Sequence, residues 1–143
     1  MSQAAADALV AEANELFRTE QFPAAASRFE RAAQVFPDHP LAWKGLGHSL
    51  LCMGRAHDAA HAFDRAIGLR PQSATALWGG AVAHAEVGNK VVAQSYLRRT
   101  LALQPTWIDM ARFLDGGTAS QARAPTLGST RSPLRGIPLR AAS

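Results

Sequence analysis

The chain has little of what disulfide chemistry, secretion and membrane insertion require. Its 143 residues include one cysteine, Cys52, so no disulfide can form within the chain, and a lone thiol fits a reducing compartment. The start of the chain lacks the basic residues and the apolar stretch of a secretory signal. No apolar run approaches the ~20 residues that a membrane-spanning helix needs. We therefore expect a cytoplasmic protein with no membrane partner.

Acidic residues are missing from the last part of the chain. Residues 1–115 carry 11 basic and 11 acidic side chains, so the net charge of +4 comes from four arginines in residues 116–143. These are Arg123, Arg131, Arg135 and Arg140. Four dispersed charges give weak, salt-sensitive attraction to nucleic acid, and the neutral remainder offers no basic stripe. We therefore do not expect a nucleic-acid partner.

A pattern of small and large apolar residues recurs before three prolines. Pro37, Pro71 and Pro105 are each 34 residues apart. In the middle unit the pattern is Trp43, Leu46, Gly47, Leu50, Ala59, Phe63, Ala66 and Pro71. Apolar residues at these spacings share one face of a helix, so each unit is predicted to be two amphipathic helices. Gly54 and Gly88 are predicted to end the first helices of their units, since glycine tolerates a positive φ. The first unit has Pro23 instead, in the first turn of its second helix.

The neighbouring units repeat this pattern in phase. The first has Leu9, Glu12, Ala13, Leu16, Ala25, Phe29, Ala32 and Pro37, and the third has Leu77, Gly80, Ala81, His84, Ala93, Leu97, Thr100 and Pro105. The pattern resembles the tetratricopeptide repeat, a helix-turn-helix unit of 34 residues. This resemblance implies an all-α fold, a right-handed α-solenoid, because one helix pair cannot bury its apolar face alone.

The resemblance divides the chain into five segments. We predict repeats at residues 6–39, 40–73 and 74–107, a C-terminal capping helix at 106–115 and a flexible basic tail at 116–143. Thr106 is the expected cap of the last helix, and Gly116 and Gly117 its end. The tail consists mainly of Gly, Ser, Thr, Pro, Ala and Arg, which cannot bury enough apolar surface to fold alone, so we expect it to be disordered.

In this family the concave surface, which the first helix of each repeat lines, binds partners. The resemblance therefore implies a mainly apolar groove, whose candidate residues are Val10, Asn14, Phe17, Lys44, Gly45, His48, Leu51, Trp78, Gly79 and Val82. Trp78 is expected to look into the groove beside Gly45 and Gly79, whose missing side chains would leave room for a partner. The alternative is that Trp78 packs across the junction between repeats.

The family also includes a clamp that binds the acidic C-terminus of heat-shock chaperones. At its five positions this chain has Val10, Asn14, Gly45, Thr75 and Gly79, and only Asn14 matches. A desolvated carboxylate needs cationic or amide donors, so we expect no chaperone-tail carboxylate clamp.

The sequence offers little for catalysis. His57 and His61 have a spacing that can place two imidazoles on one metal, but no third ligand is evident. His48 and Cys52 have the same spacing, although a cysteine in a helical solenoid is usually a small apolar residue. No glycine loop for phosphate is present, because Gly45-Leu46-Gly47 lies inside a helix. We therefore predict that the chain is not an enzyme and holds no cofactor or metal.

These observations favour a protein-interaction scaffold that binds a partner peptide or an amphipathic helix in its groove. Three alternatives remain at this point. The chain could be a dedicated chaperone of a secretion or assembly system, a targeting module of a multi-part enzyme, or a self-assembling repeat module. Self-assembly into a homo-oligomer would cover the outer face of the first unit, including Val10 and Phe17.

Overall fold

The computed structural model describes residues 3–111 as a series of antiparallel helix pairs. In chain order the helices are α1 (Gln3–Arg18), α2 (Phe22–Val35), α3 (Pro40–Cys52), α4 (Ala56–Leu69), α5 (Ala74–Glu86) and α6 (Lys90–Leu103). A 3₁₀ turn at Pro105–Trp107 then leads into the short helix α7 (Ile108–Ala111). Each helix packs against the next along the chain, and the three pairs stack into the predicted all-α solenoid.

Local sequence sets most of the helix ends. Gly54 and Gly88 follow α3 and α5 with φ values of 80° and 89°, as predicted for helix-ending glycines. Glu20 takes the same left-handed conformation, with φ 64°, where the first pair has no glycine. Pro23 lies in the first turn of α2, also as predicted. The prediction that Thr106 caps the last helix is wrong, because Thr106 lies inside the 3₁₀ turn.

Alanine and phenylalanine make up much of the core. Small residues on facing helices allow close approach, and the rings of Phe29 and Phe63 fill the space between successive pairs with at most 1% of their surface exposed. Polar bridges join the pairs as well. His39 Nε2 lies 2.6 Å from Asp7 Oδ1, and His84 Nε2 lies 3.0 Å from Asp64 Oδ1. One cluster of buried apolar residues runs from α1 to α5, and α6 joins it through half-buried Tyr96, Leu97 and Leu101.

The C-terminal part of the described chain covers the end of the stack. The 3₁₀ turn packs on α6, and Ala111 of α7 is buried in the common core. Half-buried Trp107 and Met110 also pack against that core. The predicted capping helix extends to residue 115, and its last residues and the predicted disordered tail at 116–143 lie outside the described residues. The division into repeats at 6–39, 40–73 and 74–107 stays a prediction, because helix bounds alone do not define the repeating unit.

Candidate binding groove

The first helices of the three pairs lie side by side. Helix α3 contacts both α1 and α5, whereas the second helices, α2, α4 and α6, make fewer contacts with one another. The first helices therefore form the more closely packed side of the stack, which is the side that the resemblance implies to be concave. We call the surface that α1, α3 and α5 form on this side the first-helix face. All ten predicted groove residues lie on these three helices.

The structure divides the ten predicted residues by depth. Asn14 is exposed and Phe17 is half-buried, and both belong to α1. The other eight are buried, namely Val10, Lys44, Gly45, His48, Leu51, Trp78, Gly79 and Val82. The structure thus brings most of the set together as a packed floor, with an accessible rim at α1. Val10 is already buried within the chain, so it offers little surface for the self-assembly alternative.

The two glycines of this set leave no room for a partner. A Cβ placed on Gly45 would overlap the ring of Phe29, and one on Gly79 would overlap the ring of Phe63. The space beside each glycine is therefore already filled by a phenylalanine from the preceding second helix. The expectation that Gly45 and Gly79 open the groove is wrong, because close packing between pairs uses the space first.

Gly79→Ala is expected to lower the free energy of unfolding by about 1–3 kcal/mol, since the added methyl group must displace the Phe63 ring. Gly68→Ala is the matched control, because Gly68 also lies in a helix and a Cβ there meets nothing within 4 Å. It should raise the free energy of unfolding, by up to about 1 kcal/mol. Urea unfolding of both variants measures the two effects, and equal changes would contradict this role for Gly79.

Trp78 is a packing residue in this structure. Its side chain is 1% exposed, and its ring packs edge-on against Trp107 with 6.3 Å between centroids. Leu77, its neighbour in sequence, is also buried. The ring is therefore covered where an open groove was expected. Its indole Nε1 is buried and has no hydrogen-bond partner.

His48 occupies the centre of the floor. Its ring is 1% exposed and lies edge-on to Phe63 at 4.8 Å and to Phe17 at 6.5 Å. Neither ring nitrogen has a hydrogen-bond partner. Burial, and then the positive charge of Lys44, lower the pKa of His48 to about 3. The imidazole is therefore neutral at physiological pH, with one N–H donor and one acceptor unused.

Lys44 links α3 to α5. Its Nζ donates a hydrogen bond to Thr75 Oγ1 at 3.0 Å, and both side chains are buried. Burial, and then the positive charge of Arg70, lower the pKa of Lys44. Thr75 was not selected as a site residue from the sequence. Its place at the start of α5, one turn before Trp78, was the available signal.

The histidine pair His57 and His61 was the other candidate from the sequence. His61 on α4 packs edge-on against Trp43 on α3, with 6.4 Å between ring centroids. Residues 3–111 contain no cluster of three side chains that could hold a metal ion. Within the same range no helix is both long and apolar enough to cross a bilayer.

Comparison with known families identifies the repeat. A family model described as tetratricopeptide repeat matches residues 10–51 and 45–106, which together cover more than half of the chain. No curated protein sequence matches.

Solved structures share the fold at low identity. The first tetratricopeptide domain of Spaghetti (RPAP3), bound to the HSP90 peptide SRMEEVD, superposes with a TM-score of 0.75 at 18% identity, covering 87% of this chain and 97% of that one. The second such domain, with the same peptide, gives 0.67 at 17% identity, covering 69% and 92%. A crystal structure of MamA gives 0.63 at 21% identity, covering 73% and 61%. At these identities the likeness concerns the fold alone.

Proposed function

The chain belongs to the tetratricopeptide repeat family, and from that premise we propose that it is a non-catalytic scaffold that holds a segment of a partner protein against its first-helix face. Residues on both the rim and the floor take part. Exposed Asn14 and half-buried Phe17 on α1 offer the first contacts, and half-buried Leu41 on α3 extends them.

One observation supports this face over the rest of the molecule, namely its unused hydrogen-bonding capacity. Within residues 3–111, five buried side-chain atoms have no hydrogen-bond partner, and three of them belong to the floor: Trp78 Nε1 and both ring nitrogens of His48. Each unsatisfied buried polar group costs about 1–3 kcal/mol. A partner's backbone carries donors and acceptors at regular intervals and can satisfy such groups.

Access to these atoms requires the covering side chains to move. Trp107 is one such cover, since its ring packs on Trp78 and is itself only half-buried. A bound segment that displaces Trp107 would exchange one apolar contact for another and gain the hydrogen bond to Trp78 Nε1. We therefore propose that binding is coupled to movement of the 3₁₀ turn at Pro105–Trp107.

Site-specific photo-cross-linking tests the location of the site. A photoreactive phenylalanine at exposed position 14 on α1 should capture a partner protein from native lysate, because this position is on the rim of the first-helix face. The matched control carries the same group at exposed position 57 on α4. A product formed at 57 and absent at 14 would contradict the proposal and move the site to the outer side.

Trp78→Phe then tests the floor. This change keeps an aromatic ring and removes only the indole N–H and part of the ring volume. Loss of one hydrogen bond, worth about 1 kcal/mol, should weaken affinity for the captured partner roughly fivefold. Circular dichroism should show equal helicity in both proteins. Unchanged affinity would exclude Trp78 Nε1 as a contact.

The same captures separate the alternatives. A single client kept soluble by the chain would identify a dedicated chaperone, and capture of a second copy of the chain would identify self-assembly. Capture of an enzyme subunit would identify a targeting module.

A further inference from the structure

Lys44 is a buried cation on the first-helix face. Lys44 is only 8% exposed. Its ammonium group has three N–H donors, and one of them donates a hydrogen bond to Thr75 Oγ1 at 3.0 Å. Lysine is rarely this buried unless an opposite charge accompanies it, because desolvating a charge is costly. An anion beside Lys44 would therefore stabilise its charged form.

The described part of the chain does not supply this anion. Within residues 3–111 the five ion pairs involve Glu12, Glu15, Asp7, Asp58 and Asp64, and none includes Lys44. After burial, the strongest influence on its pKa is the like charge of Arg70, which lowers it further. The described partner of Lys44 is thus a neutral hydroxyl, and the one charge named among the causes of its lowered pKa has the same sign as its own.

Unused hydrogen-bond donors lie one helical turn from Lys44 on α3 and one turn from its partner Thr75 on α5. His48 is one helical turn further along α3, so the two side chains share a face of that helix. Trp78 is three residues after Thr75 on α5, so the two share a helix face. Trp78 Nε1 and one nitrogen of neutral His48 add unused donors to those of the ammonium group. A negatively charged oxygen fits this arrangement better than any neutral group.

Building on the proposed function, we infer that the partner segment is mainly apolar and places one carboxylate, from an aspartate or glutamate side chain, against Lys44 and Thr75. One cation matches one carboxylate. The family's clamp for chaperone tails instead uses five residues, of which this chain has only Asn14. Leu51 and Val82 on the floor and Phe17 on the rim supply the apolar surroundings.

Charge favours a separate protein over the chain's own C-terminal part as the source of this side chain. Residues 112–143 contain five arginines and a single acidic residue, Asp115. A segment of that composition would bring more positive charge to a site that is already uncompensated. The carboxylate is therefore assigned to another molecule, with Asp115 as the alternative to be tested.

Pools of synthetic 12-residue peptides test the assignment. Their flanking positions are mixtures of Leu, Phe, Ala and Gln, and one central position is Glu, Gln or Lys. Fluorescence anisotropy measures each pool against the full chain. The wild type should prefer the Glu pool over the Gln pool by roughly tenfold or more, since a hydrogen bond to a charged group is stronger than a neutral one.

Two substitutions at the chain's two lysines form a matched pair. Lys44→Met keeps the length and apolar stem of the side chain and should reduce the preference for Glu to less than about twofold. Lys90→Met removes an exposed lysine at the start of α6 and should leave the preference unchanged. Thermal unfolding should show that Lys44→Met is folded, because it removes an uncompensated buried charge.

The outcomes distinguish this inference from the proposed function. Equal binding of the Glu and Gln pools would overturn the proposed carboxylate contact without affecting the proposed binding face. No binding of any pool would count against the binding face itself. Loss of the preference for the Glu pool in both lysine variants would show that it depends on the overall charge of the protein and not on a contact with Lys44, and would overturn the inference. Binding of the Glu pool that appears only after Asp115→Asn would show that the chain's own carboxylate occupies the site.

Discussion

Phe63→Ala is expected to lower the free energy of unfolding by about 3–5 kcal/mol, the largest effect of any single substitution considered for this chain. Phe63 is fully buried, and its ring contacts His48 and fills the space beside Gly47 and Gly79. The ring therefore joins α4 to the first helix of its own pair and to that of the next pair. A domain of this size is stabilised by only about 5–15 kcal/mol, so much of that stability depends on this ring.

Urea unfolding followed by circular dichroism measures this loss, and Phe36→Ala is its control. Phe36 is half-buried after the end of α2, where truncation removes less packing. A cost for Phe63→Ala no larger than that for Phe36→Ala would contradict the role of Phe63 between the pairs. A double-mutant cycle adds a direct test, since Phe63→Leu should make room for Gly79→Ala. The combined cost should then be smaller than the sum of the two single costs.

The same ring shows how far sequence reasoning extends. Periodicity predicted that Phe29 and Phe63 face the core, because it fixes the angle of each residue around its helix. It did not give the distance to the neighbouring helix. A glycine on a helix face is equally consistent with an open groove and with a ring from the same chain, and only the packed structure shows that Phe29 and Phe63 fill the space.

Turns were more predictable than the site. Gly54 and Gly88 adopt a positive φ because the chain must reverse direction there, which is a local requirement that a local pattern can indicate. Glu20 adopts this conformation without a glycine, so the first turn could not be located by the same rule.

Burial of the predicted groove residues depends on how closely α1, α3 and α5 approach each other. Trp78 and Lys44 lie on the first helices, and their depth follows from contacts between helices far apart in sequence. The role of the ten residues in binding stays a prediction that the cross-linking and peptide experiments address.

Acid is expected to destabilise the protein through His48. The unfolded imidazole has a pKa near 6.5, and the folded one has a pKa of about 3, because burial and then Lys44 disfavour its charged form. A folded pKa below the unfolded value means that the stabilising contribution is fully present above about pH 6.5. This contribution is lost as the pH falls toward 3, since the unfolded state then binds a proton that the folded state excludes. At pH 4.5 the loss amounts to roughly 2–3 kcal/mol.

His48→Leu isolates this contribution from that of other titrating groups. The variant replaces the ring with an apolar side chain that has no proton to bind and no unsatisfied nitrogen. At pH 7 its stability should lie within about 1.5 kcal/mol of the wild type, because lost contact with Phe63 opposes the relief of two unpartnered atoms. Between pH 7 and 4.5 it should lose less stability than the wild type, by the same roughly 2–3 kcal/mol.

Urea unfolding at both pH values, followed by tryptophan fluorescence, measures this difference. His57→Leu, at an exposed position on α4, controls for the loss of a histidine as such and should follow the wild type. Parallel pH profiles for wild type and His48→Leu would show that the buried imidazole is not held neutral. The N–H group of the His48 ring is also a proposed contact for the partner. A partner that forms a hydrogen bond with it should therefore change the pH at which acid unfolds the wild type. A complex that unfolds at the same pH as the free protein would exclude His48 from the contact.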